Sequence, residues 1–344
     1  MSLPARWYEL QKDGRISCQL CPRFCLLREG QRGFCFIRRV EAGRLVTDGY
    51  GAATGFALDP IEKKPLYHVL PGSSVFSFGT AGCNLGCKFC QNWTTSKSSD
   101  TQRRHQRLPA KTLIKMAQES GATAIAYTYN EPTIFAEYVT EVAAAARRSG
   151  ILNLMVTNGY INLPAAREVY RHIDAANVDL KGFSDQFYRR LTLARLQPVL
   201  DFLSWLRRET TVWIEITTLL IEDYNDDPAE IQQLARWIKD NLGPQTPLHL
   251  TSFHPDYRMA QHRRTSLKTV LRSREIALQE GLYHVYTGNV IHADSQHTSC
   301  PGCGQRVIER EYMALRRNLL RAGHCPVCDL EVGGIFAAAE TTDS

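Results

Sequence analysis

The chain has 344 residues, 44% of them hydrophobic and 22% charged, with a formal net charge of +6. That length holds one large domain of up to about 250 residues plus small appendages. No apolar run reaches the roughly 18 residues of a membrane span, which excludes a helical membrane protein, and the mild positive charge permits an acidic partner without demanding one.

In chain order, residues 1 to about 45 show little helical or strand periodicity. They begin Met-Ser-Leu-Pro-Ala-Arg-Trp-Tyr-Glu, which has no signal-peptide core. They also carry the first of three cysteine groups, Cys18, Cys21, Cys25 and Cys35. Cysteines paired as C-x2-C without a secretory signal argue for metal binding in a reducing compartment, so a cytoplasmic protein is expected. These four thiolates suit either a structural zinc ion or an auxiliary 4Fe–4S cluster, and their spacing is not that of a ferredoxin.

From 74 to 290, short apolar runs alternate with amphipathic stretches. Strands are predicted at 74–78, 124–129, 152–157, 177–180, 212–219, 248–253 and 283–286. Helices are predicted at 109–120, 132–149, 164–172, 228–241 and 266–280, several opening on a proline that suits a first helical turn. Such alternation argues a parallel α/β sheet, and six or so repeats suggest a partial or full barrel. Unusual polar residues recur towards the C-terminal ends of these strands, the face where parallel barrels build active sites.

After the first predicted strand comes Cys83-Asn-Leu-Gly-Cys87-Lys-Phe-Cys90. Three thiolates spaced x3 then x2 suit a cuboidal iron–sulfur cluster with one iron left open to a ligand that is not protein. Gly82 and Gly86 would let the loop wrap closely around an inorganic core. The second strand is followed by Asn130-Glu131-Pro132, and the third by Thr157-Asn158-Gly159. Asp179 and Lys181 are two apart, so both face the barrel interior. Glu215 shares a face with Trp213 and Thr217, an unpaired carboxylate inside an otherwise apolar strand. His254 follows the sixth strand. Lys63, Lys64, Tyr67 and His68 precede the first strand, near enough to cover the site.

The loop resembles the signature of the radical S-adenosylmethionine superfamily, C-x3-C-x2-C with an aromatic, here Phe89, before the last cysteine. The segments LYHVLPGSS, TAGCNLGCKFCQNW, YTYNEPTIF, VTNGY, NVDLKGF and VWIEITTL resemble the AmmeMemoRadiSam-system radical enzymes, a group related to the pyruvate formate-lyase activating enzymes. The resemblance implies an α/β fold, a partial (β/α)6-type barrel over 46–292. A cysteine-rich module at 1–45 would precede it, and a zinc ribbon with its tail at 293–344 would follow. It implies a 4Fe–4S cluster on Cys83, Cys87 and Cys90 that binds S-adenosylmethionine. Reductive cleavage would then give a 5′-deoxyadenosyl radical, which takes hydrogen from a substrate.

Many members place a Gly-Gly-Glu near the amino group of S-adenosylmethionine. Asn130 and Glu131 stand in that place here, and Glu131 equally suits the first turn of its helix. Thr157 and Asn158 resemble the turn near the methionine carboxylate. Asp179 and Lys181 resemble an Asp-x-Lys pair, with a structural ion pair as the alternative reading. Glu215 and His254 complete the implied cofactor shell, with a structural histidine the alternative for His254.

A low-potential donor, flavodoxin or ferredoxin, is the implied partner, with a small-molecule or protein substrate and neither membrane nor nucleic acid. An activase installing a glycyl radical is a narrower reading. The stretch 70–80 lacks the Gly-Pro-Gly-x-Arg element typical of activating enzymes. The rival class is a non-catalytic electron carrier or a zinc-ribbon nucleic-acid binder.

Cys300-x2-Cys303 and Cys325-x2-Cys328 read as the two knuckles of a zinc ribbon, with a rubredoxin-like iron site the same in spacing. Arg306, Arg310, Arg316, Arg317 and Arg321 make the ribbon basic, which most simply gives a solvated face. Residues 337–344 read as a frayed tail.

Overall fold

A computed structural model describes residues 3–97 and 107–336; the predicted frayed tail lies outside the described residues. Residues 3–47, most of which show little periodicity in sequence, form two small antiparallel sheets. One joins β1 (Leu3–Pro4), β6 (Arg44–Thr47) and β5 (Arg38–Glu41); the other joins β2 (Tyr8–Leu10), β3 (Ile16–Cys18) and β4 (Leu26–Leu27). Strands of two to four residues show no measurable period of two, so they are invisible to patterning.

The main body is an eight-stranded sheet. An antiparallel edge strand, β7 (Thr54–Pro60), pairs with β8 (Ser74–Gly79). Then come β9 (Ala124–Tyr127), β10 (Leu152–Thr157), β11 (Ala175–Asp179), β12 (Trp213–Leu220), β13 (Leu248–Ser252) and β14 (Val285–Gly288). The order β14-β13-β12-β11-β10-β9-β8-β7 is sequential, and β8 to β14 run parallel. Burial on both faces explains why these strands read as continuous apolar runs.

The helices are α1 (Trp93–Ser96), α2 (Ala110–Glu119), α3 (Ala136–Arg148), α4 (Leu163–Val169), α5 (Asp185–Phe187), α6 (Gln197–Glu209), α7 (Pro228–Leu242) and α8 (Leu267–Gln279). Helix α7 starts where its proline predicts, and Asp227 caps it by accepting from the amides of Ala229 and Glu230. The prediction omits α6, although Val199, Phe202, Leu203 and Leu206 lie buried at helical spacing.

Beyond β14, a third antiparallel sheet joins β15 (Thr298–Ser299), β16 (Arg306–Glu311) and β17 (Ala314–Asn318). It is clamped to the barrel. Arg310, expected on a solvated face, is 1% exposed. Its guanidinium donates to the Tyr67 carbonyl at 2.6 Å, lies over the Tyr67 ring at 4.3 Å and faces the Glu62 carboxylate at 3.5 Å. A buried guanidinium needs such partners, because leaving it unpaired costs several kcal/mol, of order 3–5. Among the described residues, no helix is long and apolar enough to cross a membrane.

Two buried histidines pack beneath this clamp. A carbonyl only accepts, so His68 donates from Nδ1 to the Gly333 carbonyl at 2.7 Å, which leaves Nε2, 2.7 Å from the Tyr286 hydroxyl, as the acceptor in the neutral ring. Burial, with His284 beside it, pushes His68 down to about 3, and burial pushes His284 down to about 4. Unfolded histidines titrate near pH 6.5. Below that pH the unfolded chain binds protons that the fold refuses, so stability falls as pH drops from 6.5 towards 4. Each histidine contributes up to about 1.4 kcal/mol per pH unit. His284→Phe is therefore expected to lose about 1 kcal/mol less than wild type between pH 6 and pH 5. Urea unfolding at the two pH values reads this, and an unchanged slope would refute it.

Candidate active site

The three central thiols open onto a cavity of about 270 Å³ at the C-terminal ends of the parallel strands. Cys83, Cys87 and Cys90 line it together with Tyr129, Asn130 and Glu131 after β9 and Asn158 after β10. Asp179 ends β11 and Lys181 follows it, Thr217 and Leu219 come from β12, Thr251 from β13 and Asn289 from the turn after β14. Register brings them level: Asp179 sits beside Thr217, and Leu219 beside Thr251. Larger surface depressions elsewhere, of about 710 and 870 Å³, contain no thiol.

The loop is held by polar side chains around it. Asn130 accepts from the Thr80 amide at 3.1 Å and donates to the Gly82 carbonyl at 2.9 Å, fixing the entry to Cys83. Gly82 has φ +90°, and a Cβ there would overlap the Cys35 carbonyl oxygen. Asn158 donates to Asn84 Oδ1 at 2.9 Å and lies 3.9 Å from Cys83 Sγ. The Leu85 amide donates to Cys83 Sγ at 3.4 Å, and Cys90 Sγ lies 3.2 Å from Ser96 Oγ. Contacts of this kind tune a cluster's potential.

Burial pushes Cys83 up to about 12 against the pull of Lys97, and Cys87 up to about 11 against Lys181. These thiols stay protonated until metal displaces the proton.

Glu131 lines the cavity but is already engaged. Its carboxylate accepts from the Thr133 amide at 2.9 Å, Thr157 Oγ1 at 2.7 Å and the Asn158 amide at 2.8 Å. Burial raises its pKa, and these three donors oppose the rise. Two carboxylate oxygens offer about four acceptor positions, so one remains for a ligand donor. Thr157 lies behind Glu131, outside the cavity lining.

Lys181 Nζ donates to Asp179 Oδ2 at 2.8 Å. Although burial opposes its charge, the Asp179 carboxylate raises its pKa above the ordinary lysine value, so it is a fixed cation at the cavity wall. Among the described residues, Thr217 Oγ1 is buried with no hydrogen-bond partner.

Two candidates sit apart. His254 is exposed and joins the site through Gln91, which donates to His254 Nδ1 at 2.9 Å. Glu215 lies deeper, towards the strands' N-terminal ends, and is not unpaired. It accepts from the amides of Tyr67 (3.0 Å) and His68 (2.8 Å), the Trp213 indole (3.2 Å) and His249 Nε2 (2.7 Å). Lys63 and Lys64 both bond Asp59, at 2.8 and 2.6 Å.

Sequence reasoning singled out neither Thr251 nor Asn289; polar residues at the ends of the last two strands were the available signal. In the ribbon, Cys300 and Cys328 lie 3.5 Å apart, and Cys303 and Cys325 3.7 Å apart. All four thiols fall within 4.8 Å of one another, a group that could bind a metal ion.

Seven parallel strands with three thiols over their C-terminal ends form an α/β barrel site that could hold an iron–sulfur cluster. The Radical SAM superfamily profile matches residues 78–238. An uncharacterised protein of Methanocaldococcus jannaschii is 38% identical over 306 residues, covering 89% of this chain and 91% of its own. Among solved structures, Streptococcus suis SuiB bound to the precursor peptide SuiA superposes with a TM-score of 0.50 at 14% identity, over 67% of this chain and 52% of that one. A domain of pyruvate-formate lyase-activating enzyme from Bacteroides vulgatus gives 0.43 at 18% identity, over 49% of this chain and 100% of that domain. The chain belongs to the radical SAM superfamily. Membership supports S-adenosylmethionine-dependent radical chemistry and implies a 4Fe–4S cluster. The three thiols, the fixed cation and the unpartnered Thr217 hydroxyl fit those two groups.

Proposed function

We propose that this is a radical enzyme of the AmmeMemoRadiSam type, which cleaves S-adenosylmethionine and takes hydrogen from a substrate in the adjoining space. The cavity carries the reading: the open face of the three-thiol loop looks onto polar side chains from every parallel strand end. When bound, a 4Fe–4S cluster with S-adenosylmethionine supplies an electron and a 5′-deoxyadenosyl radical.

The chain's own residues bind and orient. Lys181 presents positive charge to the carboxylate of S-adenosylmethionine. Glu131 offers its remaining acceptor position to the amino group, and Thr217 gives its hydroxyl to the ligand. Asn130 and Asn158 hold the loop still. A second cavity of about 100 Å³ shares Pro65, Thr251 and Asn289 with the first and passes beneath Tyr312 and Met313 of the ribbon. It is the place for the substrate, whose reactive carbon would then face the radical away from water.

A small-molecule substrate is preferred to a glycyl-radical partner, because 70–80 lacks the arginine of the activating enzymes. A flavodoxin or ferredoxin would supply the electron in the cytoplasm, and zinc would hold the ribbon.

Lys181→Ala tests the assignment. It should weaken S-adenosylmethionine binding by roughly 10- to 100-fold, the worth of a lost charged hydrogen bond. Cluster content should be unchanged. Titration followed by the change in the reduced cluster's electron paramagnetic resonance measures it. Full affinity in the variant would reduce the Asp179–Lys181 pair to a structural role.

A further inference from the structure

The thiols of this chain come at two spacings. In the ribbon, separations of 3.5 and 3.7 Å approach the tetrahedral edge of about 3.8 Å expected for sulfurs about 2.3 Å from one zinc ion. Among the described residues, the ribbon is the one set of three or more cysteine, histidine or acidic ligand atoms lying within 4.8 Å of one another. Cys83, Cys87 and Cys90 are set wider, as they must be when each thiolate binds a different iron. The family's established cluster loop thus serves as a ruler inside the same molecule.

No three of Cys18, Cys21, Cys25 and Cys35 have their sulfurs all within 4.8 Å of one another. They nevertheless face one another. Cys21 lies in the turn between Cys18 and Cys25, and Cys25 Sγ packs against Gly33, two residues before Cys35. The fold draws them together on purpose-built turns. The Cys18 amide donates to the Cys25 carbonyl at 2.9 Å, and the Phe34 amide donates to Cys25 Sγ at 3.5 Å. That last contact repeats the amide-to-sulfur bond at Cys83. Four thiols without a compact trio among them suit several irons better than one tetrahedral ion, and they are one more than the catalytic loop offers.

We infer that Cys18, Cys21, Cys25 and Cys35 hold a second, fully ligated iron–sulfur cluster, with no iron left open. Its module abuts the first site. Gly82 packs on the Cys35 carbonyl, and Arg23, between Cys21 and Cys25, donates to the carbonyls of Asn84 and Leu193. One backbone contact therefore separates a ligand of the second cluster from the residue preceding Cys83. This assignment stands whatever the substrate of the enzyme is.

Anaerobic purification of the full chain, reconstitution with iron and sulfide, and analysis of bound metal test it. Wild type should carry about eight irons and eight sulfides per chain, with about one further metal ion for the ribbon. A chain with Cys83, Cys87 and Cys90 all changed to alanine should keep about four irons, give a reduced-cluster resonance with dithionite, and show no response to S-adenosylmethionine. Cys21→Ser with Cys25→Ser should lose the complementary half and keep the response. About four irons and two zinc ions in wild type would overturn the inference, and this count needs no variant to fold. Iron that washes off the triple variant without a resonance would overturn it equally.

Discussion

Cys87→Ala is expected to abolish 5′-deoxyadenosine formation while leaving the chain folded. Losing an outer-shell partner of a metal centre costs roughly 10- to 100-fold, so losing one of only three protein ligands must cost more. The remaining pair, Cys83 and Cys90, cannot hold three corners of the cluster. The structural penalty is small by comparison. Cys87 is 7% exposed and packs as a small apolar residue, so alanine costs on the order of 1 kcal/mol. Chromatography after dithionite and S-adenosylmethionine should show deoxyadenosine from wild type alone. Iron should fall by about four per chain, and by no more, if the amino-terminal module carries its own cluster. Wild-type rates from the variant would remove this loop from the chemistry.

Legibility differs by element for physical reasons. The parallel strands are buried on both faces, so each reads as an apolar run, and 152–157 coincides with β10. The amino-terminal strands are too short for any period to register, and β7 mixes exposed residues with a proline. Helix α6 follows a π-helical turn, Tyr188–Thr192, that ends at Leu193 with φ +55°, so no simple helical phase leads into it.

At the site, thiol spacing and strand-end position were enough to find the cavity, because both are local. Partnership was not. The amides that bind Glu215 lie 148 and 147 residues away, and the carbonyl that binds Arg310 lies 243 residues away. Alternation along a strand says that a charge points inward, and says nothing of what meets it there. The same limit holds for the two cysteine quartets: residue spacing leaves zinc or an auxiliary 4Fe–4S cluster open for the first and zinc or a rubredoxin-like iron for the second, because it does not say how far apart the sulfurs lie.

Glu215→Ala is expected to cost the most stability of any single change considered. The carboxylate is fully buried and is met by four donors from three parts of the chain: the 67–68 turn, β12 and β13. Through Tyr67, the same turn holds Arg310 of the ribbon. Burial alone would raise the carboxyl's pKa, yet the His249 ring and the donors around it hold it below the usual range. Its contribution is therefore present above the unfolded value near pH 4.5 and lost as pH falls through the lower folded value.

Alanine leaves two amides, an indole and an imidazole without their acceptor. Each orphaned group costs about 1–3 kcal/mol, but the groups relax together, so the total should be about 3–5 kcal/mol rather than their sum. Glu215→Gln keeps one carbonyl oxygen and turns an NH2 towards the remaining donors, and should fall between wild type and alanine. Urea unfolding of the metal-loaded chain measures both. S-adenosylmethionine titration of whatever folds decides the residue's role. Lost stability with intact binding makes Glu215 the tie between barrel and ribbon. Intact stability with lost binding would return it to the cofactor shell.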